Sequence, residues 1–331
     1  MKNFNFVKVD MSVIYVVGAG QLGSRHLQAL KGVKYSLDIR VIDPSELSLQ
    51  IAKERYESVP NGQQHQVSFS TSFDRADAVD VAIVATNSDV RSKALGSLFD
   101  ASNTKLLVLE KLLFNQRADY AEIERKLADT GAKAWVNCPM RVMPIYEQIR
   151  ASITKTPISY RVTGSQFGLV TNAIHYIDHV AHLCGCTEFE LDTSGLDRNP
   201  IPSKRPGFLE LNGTLVARFA DGSRCEISCY PTGTAPVVVE IFNEKNRYVV
   251  RESEGKLWHS GESTNWTWLE QAAPIPYQSQ ITTEVIESLL STGDCGLTPY
   301  ATSSRIHLQL LDPLLELVRS HSAEATGYPF T

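Results

Sequence analysis

The feature that most limits the fold of this chain is a glycine-rich segment between a predicted strand and a predicted helix. Its glycines have the spacing GxGxxG, directly after the apolar run SVIYVV and directly before a helical pattern. The first glycine of such a loop permits a tight turn, the second permits close approach of a pyrophosphate, and the third permits close packing of helix on strand. The free backbone N–H groups at the helix start then face the phosphates. The sequence therefore predicts a dinucleotide site at Gly18, Gly20, Gln21, Leu22 and Gly23.

A carboxylate follows this loop at the distance expected of a dinucleotide-binding unit. Asp43 ends the second predicted strand, in VIDPS, about 20 residues beyond the loop. A carboxylate there accepts hydrogen bonds from the adenosine ribose hydroxyls and repels a 2′-phosphate, which predicts NAD rather than NADP. The alternative is that the glycines form only a turn and that Asp43 caps the helix after it.

The N-terminal part of the chain alternates short apolar runs with helical patterns, which is typical of βαβ units and a doubly wound parallel sheet. Thr86 and Asn87 end the fourth predicted strand, and Glu110 and Lys111 end the fifth. Ligands of open α/β sheets bind at the carboxyl ends of the strands, so we predict that these four residues line the cofactor cleft. The alternatives are ordinary turn residues and a solvated ion pair.

After Pro139 the pattern changes to long alternating runs, and an Asp-Gly turn in FADGS predicts a β-hairpin between two of them. We predict two domains, a Rossmann domain over residues 11–137 and an α+β domain over 138–331 whose large sheet is open and mainly antiparallel. At 331 residues the chain exceeds the size at which one core usually keeps growing. Helices are predicted near 143–152, 172–183, 278–291 and 298–320, and a surface loop is predicted at 198–207.

Composition excludes several functional classes. The net charge of −5 leaves no excess of positive charge to bind a nucleic acid or an anionic membrane. No signal peptide and no apolar run of about 20 residues is visible, so we expect a cytoplasmic protein. The six cysteines form no CxxC pair, which predicts free thiols.

A second polar cluster lies in the segment NAIHYIDHVAHLCG. Offsets of three and four place His175, Asp178, His179 and His182 along one stripe of a helix. Two histidines four residues apart on a helix are a known zinc geometry, although the motif HExxH is absent. The alternatives are therefore a metal site and a polar helix face, and we expect no metal.

Five ordered segments together resemble the Gfo/Idh/MocA oxidoreductases, the family of glucose-fructose oxidoreductase and inositol dehydrogenase. These segments are VVGAGQLGSRH, VIDPS, VAIVATNSDVR, LEK and HYIDHVAHLCG. The resemblance implies that Lys111 corresponds to the lysine of the Glu-Lys-Pro motif and His175 to the active-site histidine. It also implies a homodimer or homotetramer formed through the C-terminal sheet.

The resemblance further implies a substrate site at Arg141, Thr171, Asn172 and Asp178. The segment VNCPMRVMPIYEQIR is similar to members associated with bacterial surface-polysaccharide clusters, which act on nucleotide-linked or amino sugars. Arg141 would then meet a diphosphate or a carboxylate, since a guanidinium binds either anion in a bidentate manner.

Two positions depart from the family pattern. Leu112 replaces the proline after the lysine, and Thr171 replaces an aspartate that is common four residues before the histidine. A hydroxyl cannot take up a proton as a carboxylate does, so the base would have to be His175 or Lys111. The first departure raises the question of whether the loop still directs Lys111 to the substrate.

These observations favour an NAD-dependent oxidoreductase that oxidises a secondary hydroxyl of a sugar, nucleotide-sugar or polyol, or catalyses the reverse reduction. Lys111 and His175 would form the acid–base pair. One alternative is a C=C or C=N reductase of the same family, in which His175 matters little. The other is a non-catalytic dinucleotide-binding regulatory or scaffold protein, suggested by the missing proline and aspartate.

Overall fold

The first sheet is built from the apolar runs of the N-terminal part of the chain. In the computed structural model, which describes residues 11–153, 156–321 and 325–331, these runs form β1 (Ser12–Val17), β2 (Leu37–Ile42), β3 (Gln66–Ser70), β4 (Ala76–Val84), β5 (Ser102–Leu109) and β6 (Lys133–Val136). They lie in the order β6-β5-β4-β1-β2-β3, and all neighbours in this series are parallel. The predicted Rossmann fold is confirmed.

Helices connect these strands and cover both faces of the sheet, as the buried Val and Ile runs require. They are α1 (Gln21–Leu30), α2 (Glu46–Glu57), α3 (Arg91–Ala101) and α4 (Arg117–Thr130). Because β1 lies between β2 and β4, the chain leaves β1 toward one edge and later returns to its other side. A crevice opens at such a switch point, outside the carboxyl ends of the central strands, and the candidate site lies there.

The second sheet has eight strands in the order β16-β15-β14-β13-β7-β12-β11-β8, and only β7 and β12 pair in parallel. Its strands are β7 (Ser159–Ser165), β8 (Phe189–Leu196), β11 (Gly213–Phe219), β12 (Arg224–Tyr230), β13 (Val238–Phe242), β14 (Asn246–Arg251), β15 (Lys256–Gly261) and β16 (Leu269–Ala272), while β9 (Ile201–Pro202) and β10 (Leu209–Glu210) form a separate ribbon. The predicted hairpin at FADGS joins β11 to β12, and the mainly antiparallel sheet is confirmed.

Alternation along the strands gives this sheet two different faces. On β7, Tyr160 and Val162 are buried, whereas Arg161 between them is exposed and forms ion pairs with Glu226 and Glu240 on the neighbouring strands. Two helices of this part of the chain are α5 (Pro144–Ser152) and α6 (Leu169–Cys184), and α6 packs against β12. The face that carries Arg161 is therefore polar and bears charges of both signs.

Segments near the C-terminal end return to the first sheet. Helix α7 (Gln278–Thr292) packs on α1, and β17 (Thr298–Pro299) pairs antiparallel with β6 before α8 (Tyr300–His321) begins. The Tyr328 N–H donates to the Asn115 carbonyl at 2.7 Å, and the Ser88 hydroxyl donates to the Phe330 carbonyl at 2.7 Å. The first sheet thus includes chain from both predicted domains. No helix in the described ranges combines the length and the apolarity needed to cross a bilayer.

Candidate active site

Two neighbouring cavities share Arg205 in their linings, and one of them lies at the carboxyl edge of the first sheet. The glycine-loop cavity has a volume of about 240 Å³ and is lined by Gly20, Gln21, Leu22, Ala85, Thr86, Asn87, Arg91, Glu110, Lys111, Arg205 and Pro206. The α6 cavity has a volume of about 450 Å³ and is lined by Gln166, Phe167, Gly168, Thr171, Asn172, Ile201, Pro202, Ser203, Lys204, Arg205, Glu210, Leu211, Asn212, Pro231 and Thr331. The volume of the α6 cavity lies within the usual range of small-molecule sites, about 300–1,000 Å³, and that of the glycine-loop cavity lies slightly below it.

The three glycines of the loop have different local environments. Gly18 has a φ of +93°, which favours glycine, and a Cβ atom at Gly23 would lie 1.7 Å from the Gly18 carbonyl oxygen. A Cβ atom at Gly20 would meet nothing within 4 Å. Helix α1 starts at this open side without a side-chain cap. The loop therefore leaves free N–H groups and open space where a pyrophosphate would bind.

Asp43 lies against the glycine loop. Its Oδ2 accepts a hydrogen bond from the Ala19 N–H at 2.7 Å, and its Oδ1 accepts one from the Ser45 N–H at 2.8 Å. The N-cap of α2 is Ser45, whose hydroxyl accepts from the Ser48 N–H. The alternative that Asp43 caps this helix is therefore wrong. Asp43 lines neither cavity of the described chain and lies beside the glycine-loop cavity.

Arg91 is a site residue that sequence reasoning missed. It is 1% exposed, and its guanidinium donates to the backbone carbonyls of Thr86, Leu112 and Leu113. One side chain thus connects the segment after β4 to the segment after β5. The sign of Arg91 in the sequence is the arginine that follows the fourth strand, at the end of the segment VAIVATNSDVR. Thr86 also has a buried hydroxyl with no hydrogen-bond partner in the described ranges, and this hydroxyl belongs to a residue lining the glycine-loop cavity.

Glu110 is the centre of a buried polar network. Its Oε1 accepts from His26 Nε2 at 2.8 Å and from Asn137 Nδ2 at 2.6 Å, and His26 Nδ1 lies 2.8 Å from the Thr282 hydroxyl. Burial acts to raise the pKa of Glu110, but the hydrogen bond and charge of His26, with Asn137 and Lys111, outweigh it and lower the pKa to about 2. Glu110 is therefore a fixed anion beside Lys111.

Lys111 is held at the junction of the two predicted domains. Its Nζ donates to the Thr171 carbonyl of α6 at 2.9 Å, and the side chain lines the glycine-loop cavity. The peptide bond from Lys111 to Leu112 is cis. Burial lowers the pKa of Lys111 to about 8; the charge of Glu110 opposes this change, and Arg205 adds to it. Lys111 therefore titrates close to neutrality, as a proton-transferring amine must.

His175 lies one helical turn beyond Thr171 on α6. Its Nδ1 is buried and has no hydrogen-bond partner among the residues described. Burial lowers the pKa of His175 to about 3, and the positive charge of Lys111 acts in the same direction. The imidazole is therefore neutral at neutral pH. His175 is close to Lys111 but lines neither cavity.

The rest of the predicted histidine stripe makes separate contacts. Arg141 pairs with both carboxylate oxygens of Asp178, at 3.0 and 3.3 Å, and Asp178 is 1% exposed. His179 Nδ1 lies 3.0 Å from the Tyr160 hydroxyl, and His182 Nε2 lies 2.9 Å from Glu147. No group of three potential metal ligands comes together in the described ranges. Of the predicted substrate residues, the α6 cavity includes Thr171 and Asn172 but neither Arg141 nor Asp178.

A carboxylate lies close to the position where the family pattern has one. Glu210, 6% exposed, accepts from the Val170 N–H at 2.9 Å, from the Thr171 N–H at 3.1 Å and from the Thr171 hydroxyl. Asn172 donates to the carbonyls of Phe167 and Gly168. Glu210 therefore stabilises the start of α6, an anion at a helix N-terminus. Sequence reasoning missed it because it lies 39 residues from Thr171.

No protein-family model matches this sequence, and no curated protein sequence matches it. Solved structures match its fold. The UDP-N-acetylglucosamine 3-dehydrogenase GnnA from Acidithiobacillus ferrooxidans superposes with a TM-score of 0.68 and 12% identity, over 91% of this chain and 95% of that one. An oxidoreductase from Agrobacterium radiobacter, in complex with NAD⁺, L-tartaric acid and magnesium, gives a TM-score of 0.70 and 12% identity, over 96% and 97% of the two chains.

Biliverdin reductase from Synechocystis, in complex with biliverdin and NADP⁺, gives a TM-score of 0.67 and 13% identity, over 92% of this chain and 98% of that one. At sequence identities this low, the structural similarity establishes the fold alone. The chain has the fold of the Gfo/Idh/MocA oxidoreductases, which confirms the fold that the sequence resemblance implies.

Proposed function

We propose that this protein is an NAD-dependent oxidoreductase that interconverts a secondary hydroxyl and a ketone on a sugar, nucleotide-sugar or polyol. The observation that carries the proposal is Lys111, an amine with a pKa of about 8 at the point where the glycine-loop cavity approaches the α6 cavity. Solved structures of the same fold support it, since one is a UDP-N-acetylglucosamine 3-dehydrogenase and another is an oxidoreductase in complex with NAD⁺. Residues 11–137 would hold the cofactor and residues 138–331 the substrate.

The residues around the glycine-loop cavity would hold the pyrophosphate part of a dinucleotide. Gly20 leaves open space beside the uncapped start of α1, where the pyrophosphate would accept from N–H groups. The unpartnered Thr86 hydroxyl, with Gln21, Leu22 and Asn87, would contact the rest of the cofactor. When bound, NAD supplies the acceptor for the hydride of the carbinol carbon. Asp43 at the glycine loop supports NAD over NADP.

Lys111 would act as the base in the oxidation. As the hydride leaves the carbinol carbon, the neutral Lys111 amine takes the hydroxyl proton. The electron pair of the broken O–H bond forms the second bond of the C=O group. Glu110 would then stabilise the resulting ammonium, since it is already ionised. In the reverse direction the Lys111 ammonium returns the proton to the alkoxide oxygen.

His175 would donate or accept a hydrogen bond as a neutral imidazole. A group whose pKa is about 3 is a weak base at neutral pH, so we assign proton transfer to Lys111 and a positioning role beside it to His175. This assignment gives different roles to the two members of the predicted acid–base pair.

The polar face of the second sheet would join subunits into a dimer or tetramer, and the protein would work in the cytoplasm.

The function is tested by calorimetric titration with NAD⁺, NADH, NADP⁺ and NADPH, followed by the absorbance of reduced nicotinamide with UDP-sugars and free polyols. We expect NADH to bind more tightly than NADPH, with substrate-dependent formation of the reduced cofactor. Cofactor binding without turnover across the panel would favour a regulatory or scaffold protein. If no dinucleotide binds, both the oxidoreductase and the dinucleotide-binding regulatory or scaffold protein are excluded.

The pH profile of the oxidation is the first specific prediction. Because the base must be the neutral amine, log(kcat/KM) should rise with a slope of one below about pH 8 and become constant above it. The reduction should show the opposite trend, since it needs the ammonium. Initial rates from about pH 6 to about pH 10 measure this. A profile with its only inflection near the ordinary histidine pKa would contradict the assignment of Lys111.

Asp43→Asn should change cofactor preference. The amide oxygen can still accept from the Ala19 N–H, but the negative charge that repels a 2′-phosphate is gone. We expect the affinity for NADPH relative to NADH to rise about tenfold, or about 1.4 kcal/mol. Asp38→Asn is the matched control, since it removes a carboxylate that pairs with Arg40 on β2, the strand directly before Asp43. Equal ratios in both variants would remove Asp43 from cofactor selection.

A further inference from the structure

Arg205 lies at the junction of the two cavities and lines both of them. Its segment, residues 203–206, follows β9 and runs toward β10, and it belongs to the stretch that the sequence predicts to be a surface loop. Lys204 lines the α6 cavity beside it. A side chain at this junction is in position to contact a molecule bound next to the cofactor.

The guanidinium of Arg205 makes no hydrogen bond and no ion pair with the residues that the structure describes. Its backbone is engaged on both sides, since the N–H donates to the Ser203 hydroxyl at 3.3 Å and the carbonyl accepts from the Phe208 N–H at 3.2 Å. Its charge nevertheless acts on two cations nearby, because it lowers the pKa of Lys111 and of Arg91. Three positive groups therefore converge on the glycine-loop cavity.

The carboxylates of the site are already engaged by other donors. Glu110 accepts from His26 and Asn137, and Glu210 accepts three hydrogen bonds at the start of α6. A partly buried guanidinium beside two other cations is stabilised by an anion that it contacts directly. Neither carboxylate makes such a contact among the residues described, so the Arg205 guanidinium is available to a negatively charged ligand.

We propose that Arg205 binds an anionic group of the substrate, a carboxylate or a phosphate, while the reacting hydroxyl lies at Lys111. A guanidinium binds two oxygens of either group in a bidentate manner, and Lys204 adds a second positive charge on the same wall. This assigns to Arg205 the role that the sequence gives to Arg141, which is engaged by Asp178. The inference rests on the proposed oxidoreductase function and narrows its substrate class.

The test uses matched sets of a neutral compound, its carboxylate and its phosphate: glucose, glucuronate and glucose 6-phosphate, then glycerol, glycerate and glycerol 3-phosphate. Each is titrated calorimetrically into the full-length protein with saturating NADH, for the wild type and for Arg205→Met, Arg205→Lys and Arg198→Met. Arg198 is exposed, lies earlier in the same loop and lines neither cavity in the described chain. Its variant therefore controls for the loss of charge alone.

We expect an anionic member of a set to bind the wild type at least about tenfold more tightly than its neutral counterpart. Arg205→Met should abolish this preference, Arg205→Lys should keep part of it, and Arg198→Met should keep it all. The anion that Arg205 binds is identified by which of the two compounds, the carboxylate or the phosphate, shows the larger increase in affinity over the neutral compound. The inference is overturned if no anionic member is preferred, or if Arg205→Met and Arg198→Met behave alike.

A separate titration of NADH distinguishes this inference from the proposed function. If the wild type does not bind NADH, the proposed function fails, and the preference for anions is measured in the same proteins without cofactor. If Arg205→Met loses NADH affinity as strongly as anion affinity, Arg205 belongs to the cofactor site and the inference is wrong. Unchanged NADH affinity with lost anion preference supports it.

Discussion

Lys111→Met is expected to lower kcat/KM for the oxidation about a thousandfold while NADH affinity stays within about threefold of the wild type. Methionine fills a similar volume but carries no proton acceptor. The variant also loses the hydrogen bond to the Thr171 carbonyl. Cofactor affinity should survive because, in the proposed function, the glycine loop and Asp43 would contact the dinucleotide independently of this amine. Stopped-flow rates and calorimetric titration of the same preparation measure both quantities.

Two further variants show which property of Lys111 matters. Lys111→Arg keeps the positive charge but cannot release a proton near neutrality, so it should be nearly as inactive as Lys111→Met. Lys105→Met removes an exposed lysine of β5, the strand that precedes Lys111, where it pairs with Asp80, and should change little. Substantial activity in Lys111→Arg would mean that positive charge, rather than proton transfer, is the contribution of this residue.

The first sheet and its glycine loop could be predicted because their signals are local. The central strands β1, β4 and β5 contain the apolar runs VIYVV, VAIV and LLVL, and each strand end fixes which residues reach the carboxyl edge. Glu110 and Lys111 could be assigned to the cleft on this basis alone. The same reasoning could not show that Glu110 accepts from His26 and Asn137, since those contacts join three separate elements.

The parts of the site that the sequence did not reveal depend on contacts between distant segments. Thr171 stands where the family pattern has a carboxylate, and the sequence shows only the loss. The structure shows that Glu210 on the β9–β10 ribbon places a carboxylate against the Thr171 hydroxyl. The sequence did not reveal Arg205 either, because its segment has the composition of an ordinary surface loop. Only the folded structure shows that Arg205 lines two cavities.

Arg141 shows the opposite case. Its guanidinium is a bidentate donor within the predicted substrate domain. Residue type and position along the chain therefore predict that it binds an anionic ligand. In the folded chain its fork faces Asp178, which also accepts from the Thr298 hydroxyl at 2.5 Å. Charge and spacing therefore indicate which residues can bind an anion, whereas the availability of each one depends on its neighbours in the folded protein.

Arg91→Met should have the largest effect on stability, lowering the free energy of unfolding by about 3–5 kcal/mol. The arginine is 1% exposed and donates to the carbonyls of Thr86, Leu112 and Leu113. Methionine keeps much of the volume but leaves those carbonyls buried without their donor, at a cost of about 1–3 kcal/mol for each unsatisfied group. The segments after β4 and β5 would separate, so Lys111 would also lose its support.

Urea unfolding followed by circular dichroism measures this change, with Arg125→Met as the matched control. Arg125 is an exposed arginine whose partner is Asp129, one turn along α4. Its loss should cost less than about 0.5 kcal/mol, as for most exposed pairs within a helix. Equal destabilisation by the two variants would show that the carbonyls around Arg91 find other donors. A large loss confined to Arg91→Met, with kcat falling in the fraction that stays folded, would show that the arginine joining the two segments also holds Lys111 in place.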